Sequence, residues 1–67
     1  MTITILAVRR SAMTISTQAD GWNEAYAKAK GIVTGWQGNL PHDPIVHFFL
    51  SDEEDLMQYT PEEIRGM

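Results

Sequence analysis

From its second residue the chain reads Thr-Ile-Thr-Ile-Leu-Ala-Val-Arg, with Ile3, Ile5 and Ala7 on one side of a two-residue repeat. Strand side chains alternate between faces, so residues 2–9 are expected to form a strand with one apolar side. Met13, Ile15 and Thr17 then alternate with Thr14 and Ser16. This predicts a second strand, polar on its outer face, joined to the first by a short turn at Arg10-Ser11-Ala12.

From Trp22 the period changes. Trp22, Ala25, Tyr26, Ala29, Ile32, Val33 and Trp36 recur at helical spacing, and at 100° per residue they fall within a stripe about 120° wide. The pattern predicts a helix N-capped by Asp20, with this stripe, both tryptophans included, packed on the sheet. Asn23, Glu24, Lys28, Lys30 and Thr34 lie opposite, with Glu24 placed four residues before Lys28 for a weak ion pair. Gly38 reads as a left-handed stop, and Pro41 prevents continuation.

Ile45-Val46-His47-Phe48-Phe49-Leu50 is apolar on both sides apart from the histidine, which predicts a third strand. A hairpin followed by a crossing helix places this strand antiparallel beside the first, in the order 2-1-3. The third strand is then an edge, and so apolar an edge attracts another chain. Its outward side is Val46, Phe48 and Leu50 in one register, or Ile45, His47 and Phe49 in the other. Val46, Phe48 and Leu50 are taken as the candidate surface for a homodimer.

Residues 51–60 admit two readings. Ser51 with Glu54 three residues on has the form of a capping box, opening a short helix through Leu56, Met57 and Tyr59. The alternative is a hairpin turning at residues 52–55 into a fourth strand; the start signals favour the helix. Thr60-Pro61-Glu62-Glu63 supplies the N-cap, N1 proline and N3 glutamate of a final turn that Gly66 ends. The expected fold is α+β: a small antiparallel three-stranded sheet (β-β-α-β), one amphipathic helix on it, and a short acidic helical C-terminus. Residues 1–67 are expected to make one domain.

Composition supports a folded chain, with 43% hydrophobic and 21% charged residues, outside the range of disordered sequences. A chain this short buries only about 60% of its unfolded surface, so stability should be marginal. There is no cysteine, which excludes disulfides and thiolate metal sites. No run approaches the roughly 20 apolar residues of a membrane span, and the opening segment does not read as a signal peptide. A soluble protein of the cytoplasm, without membrane contact, is expected.

Charge is lopsided: residues 1–30 sum to +2 and residues 31–67 to −6. Catalytic chemistry finds little to work with. His42, Asp43 and His47 fall short of the four ligands a zinc site usually takes, and Ser11, Ser16 and Ser51 stand at turns and on strands, where hydroxyls serve conformation. No enzyme activity, metal or cofactor is expected. Arg9, Arg10, Lys28 and Lys30, with Trp22, Tyr26 and Trp36 as stacking candidates, are the residue types that bind nucleic acid. The rings belong to the apolar stripe, however, and acids outnumber bases, so direct nucleic-acid binding is disfavoured.

The remaining feature is Asp52, Glu53, Glu54 and Asp55, continued by Glu62 and Glu63. Helix dipoles attract acids to such positions, but four in succession repel one another by more than capping needs. With neighbouring Tyr59 they form the candidate partner-binding site, directed at a basic protein surface such as that of a nucleic-acid-binding complex. The expected role is a stoichiometric inhibitor or adaptor, the alternative an assembly subunit dimerising through the third strand. In layout the chain is similar to small acidic inhibitors that phages and mobile elements make against host enzymes, including anti-CRISPR proteins. The likeness is of general style and carries no shared motif.

Overall fold

The computed structural model describes residues 1–67, apart from the side chains of Gln37 and Asn39. Along the chain come β1 (Thr2–Arg9), β2 (Thr14–Asp20), α1 (Trp22–Thr34), a 3-10 turn (Trp36–Asn39), β3 (Ile45–Ser51), β4 (Leu56–Tyr59) and α2 (Pro61–Arg65). The four strands form one antiparallel sheet in the order β2-β1-β3-β4. The α+β class and the central hairpin-plus-helix arrangement are as expected. The strand number is not: residues 56–59 pair with β3 instead of forming a helix. As a result β3 lies inside the sheet, and β2 and β4 are its edges.

The first hairpin turns where the alternation breaks. Arg9 N–H donates to the Met13 carbonyl at 2.8 Å and Ala12 N–H to the Arg9 carbonyl at 2.9 Å. Ala12 adopts φ 74°, the left-handed conformation that closes a three-residue hairpin loop.

Register decides which residues meet the helix. Ile3, Ile5 and Ala7 stand opposite Ala19, Thr17 and Ile15, and Ile5 and Ala7 also face Leu50 and Phe48. Ile3, Ile5, Ala7, Ala19, Ile45, Phe48 and Leu50 are buried against Ala25, Ala29 and Val33 of α1 and Ile64 of α2, in one cluster. The small alanines let α1 lie close on the sheet. Phe48 and Leu50 are fully buried, so two of the three residues expected at a self-association surface belong to the core. Val46 is half-buried, and the outward residues of β3 are His47 and Phe49.

A bulge produces this register. Val8 pairs with His47 but Arg9 with Ile45, so Val46 is an extra residue that turns Ile45 inward beside Phe48. The other face of the sheet carries Thr4, Leu6 and Val8, Ser16 and Gln18, His47, Phe49 and Ser51, and Leu56 and Gln58. Both helices lie on the first face.

The ends of α1 differ from expectation. Its N-cap is Gly21, at φ 100°, with no side-chain cap. Asp20 closes β2, and its N–H donates to the Glu24 carboxylate. At the other end α1 stops at Thr34, with Gly35 as C-cap. Gly38 does not have a positive φ; it is buried, and a Cβ there would come within 2.5 Å of the Ile32 oxygen and 2.7 Å of Val33 Cα. It is a close-approach glycine. Because α1 ends early, Trp36 leaves the apolar stripe and is 74% exposed.

α2 agrees with its sequence signature. Glu63 N–H donates to Thr60 Oγ1 at 3.2 Å and Thr60 N–H to Glu63 Oε1 at 3.0 Å, a reciprocal capping box, with Pro61 in the first turn.

Candidate protein-docking face

The acidic run is the turn between β3 and β4, and Asp52 builds that turn. Its Oδ1 accepts the N–H groups of Glu54 at 2.8 Å and Asp55 at 2.6 Å, while its own N–H donates to the Asp55 carbonyl at 3.0 Å. Aspartate side chains compete for backbone N–H groups in this way, favouring turns over helix interiors. The bonds from Asp55 and then Glu54 hold the Asp52 carboxyl below the usual aspartate range. Asp52 therefore has a structural task.

Glu53, Glu54 and Asp55 are exposed. Among the described residues no hydrogen bond or ion pair to a cation engages their carboxylates. Depressions flank them on two sides. One, of about 550 Å³, lies between the turn and the start of β1, lined by Met1, Thr2, Thr4, Ser51, Asp52, Glu53 and Glu54. The other, of about 280 Å³, is a cleft between α1 and β4 lined by Trp22, Tyr26, Asp55 and Met57.

The cleft floor is aromatic. Trp22 and Tyr26, one helical turn apart, have ring centroids 5.9 Å apart, and Tyr26 meets Tyr59 edge to face at 5.8 Å. The Tyr26 and Tyr59 hydroxyls share a hydrogen bond of 2.9 Å. That bond, followed by burial and the nearby charges of Tyr26 and Glu63, pushes the Tyr59 hydroxyl up to about 12. All three rings are half-buried, and Met57 is 43% exposed.

β4 separates the two acidic groups: the turn precedes it, and Glu62 and Glu63 follow it on α2, both exposed. The single acidic pole expected from sequence is two patches, with the aromatic row running between Asp55 and the Glu63 side of Tyr59. Sequence alone assigned Trp22 and Tyr26 to the core. Their place in this row depends on β4, a segment whose sequence signals favour a helix.

The remaining candidates have local partners. Asp43 accepts from Ser11 N–H at 2.9 Å and Ser11 Oγ at 2.8 Å, and its carbonyl accepts from Arg9 at 3.1 Å, tying the loop before β3 to the first hairpin. The Ser11 amide, then its hydroxyl, lower the Asp43 pKa. His42 is exposed in that loop, and His47 lies on the open face within 3.3 Å of Gln58 Nε2. Among the described residues no three His, Cys, Asp or Glu side chains converge as metal ligands, and no helix is long and apolar enough to cross a membrane.

Compared with protein-family models, with curated proteins and with solved structures, the chain matches none.

Proposed function

We propose that the chain is a non-catalytic binding module that docks on a basic protein surface through Glu53, Glu54 and Asp55, with Tyr59, Glu62 and Glu63 as a second contact at the other end of β4. The role is that of a stoichiometric inhibitor or adaptor acting on a nucleic-acid-handling protein. The observation that supports the reading is that Asp52 closes the turn, leaving Glu53, Glu54 and Asp55 exposed with no ion pair among the described residues, and Asp55 at the mouth of an aromatic cleft. A carboxylate next to half-buried rings suits arginine and lysine side chains, which pair with the charge and stack on whatever ring surface is open. Such a face raises association rates with a basic partner and does so less at high salt. Dimerisation through β3 finds no support, because β3 is paired on both sides.

The test is a Glu53→Lys, Glu54→Lys, Asp55→Lys triple variant that spares Asp52, so that the turn survives. Immobilised arginine-rich peptide and host-cell extract serve as baits. The wild-type chain is expected to bind in low salt, release in high salt, and lose binding in the triple variant with its circular dichroism unchanged. Equal binding by the folded triple variant would refute the reading.

A further inference from the structure

We infer that the outer edge of β2 pairs antiparallel with the same edge of a second copy of this chain, about a two-fold axis at Ser16, and that Lys28 restrains this pairing. In an antiparallel ladder each residue turns both its N–H and its C=O either toward its neighbour strand or away from it. Two side-chain bonds show which residues of β2 turn away. Lys28 Nζ donates to the Gln18 carbonyl at 2.7 Å, and Asp20 N–H donates to Glu24. The even-numbered residues therefore point outward, and Thr14, Ser16 and the Gln18 N–H have no backbone or side-chain partner among the described residues. Only an extended main chain matches a row of donors and acceptors repeating every second residue.

Charge selects the second copy and this edge. Residues 14–19, Thr-Ile-Ser-Thr-Gln-Ala, carry no charge, whereas β4, the other edge, lies between the acidic turn and the glutamates of α2. Two chains of net charge −4 repel at β4 and meet with less of that penalty at β2, whose one acid, Asp20, stands at its far end. With Ser16 facing Ser16 of the copy, Thr14 faces its Gln18. The two Gln18 residues then stand about 13 Å apart, so their attendant lysines are largely screened from each other.

The groove beside the edge has the corresponding shape. It holds about 430 Å³ and is lined by Ile15 and Thr17 of β2 and by Lys28, Ile32 and Trp36, with the indole 74% exposed. A strand added to β2 closes its open side and covers that ring. Lys28 opposes this, because it holds the carbonyl that the Thr14 N–H of the copy would take; a lysine on an edge strand limits uncontrolled pairing.

Sedimentation equilibrium of the full chain, from roughly ten micromolar to about one millimolar, reads the association. The wild-type chain is expected to pass from monomer to dimer, and no further, across that range. Ser16→Pro removes an outward N–H that β1 does not use, and should raise the Kd by about tenfold or more. Trp36→Ser should weaken the dimer, and Lys28→Met should tighten it severalfold. Should the proline variant fail to fold, amide exchange of the wild-type chain decides: Thr14 and Ser16 N–H groups slow as concentration rises. A wild-type chain that stays monomeric throughout overturns the inference, as does a dimer indifferent to Ser16→Pro and Trp36→Ser, or concentration-independent exchange at Thr14 and Ser16.

Discussion

Phe48 and Phe49 are neighbours in β3 and stand on opposite faces of the sheet. Phe48 is fully buried under α1; Phe49 is half-buried opposite Leu6 and Gln58, on a face to which neither helix reaches. The covered face is closely packed, with alanines under the helix and Gly38 pressed against the backbone of its last turn. The open face mixes Leu6, Val8, Phe49 and Leu56 with threonine, serine, glutamine and histidine, and holds no comparable cluster. The contrast shows that in so small a chain one layer of contacts carries the stability, which leaves the edges and the acidic turn free for other work.

The contrast can be tested from the largest effect downward. Phe48→Ala should cost about 3 to 5 kcal/mol, enough to unfold most of the population at room temperature, as read by urea titration. Gly38→Ala should cost about 1 to 3 kcal/mol, because the added methyl meets backbone that cannot rotate aside; thermal melting checks this. Phe49→Ala should cost about 1 kcal/mol. A loss as large as that of Phe48→Ala would show that the open face is covered in solution. Ala12→Gly should add about 0.5 to 1 kcal/mol by relieving the left-handed conformation at the first hairpin.

The last effect is a pH dependence at the margin of the covered face. The Tyr59 hydroxyl is raised from 10.0 to about 12, so the folded chain keeps a proton that the unfolded chain gives up. Its contribution is complete below pH 10 and is lost as the pH rises from 10 toward 12. Ultraviolet titration should show its phenolate forming near the top of that window, and earlier in a Tyr26→Phe variant.

Local signals were legible wherever local chemistry decides the structure. The alternation of Ile3, Ile5 and Ala7 located β1, and the Thr60-Pro61-Glu62-Glu63 string located α2 down to its reciprocal cap. Ser51 and Glu54 offered the same kind of cap and were misleading. The Asp52 carboxylate takes the backbone N–H groups that a helix would have left free, and pairing with β3 settles residues 56–59 as strand, which no short-range pattern encodes. Trp36 was misassigned for a related reason. Its spacing continues the apolar stripe, but the close approach of Gly38 to Ile32 and Val33 replaces the final turn of α1 with a tighter one. The docking face was visible as acids and not as a cleft, because its aromatic floor forms only when β4 lies beside α1.

The extra residue at Val46 gives β3 one point at which its length is free to vary. Removing that position would leave Ile45 next to outward-facing His47 in simple alternation, still on the covered face and still opposite Arg9, so the ladder would run regularly where it now bulges. A shortened chain should keep its core and lose only the local bend. Variation among chains built on this plan should therefore show free spelling at that site and tolerate the loss of one letter there.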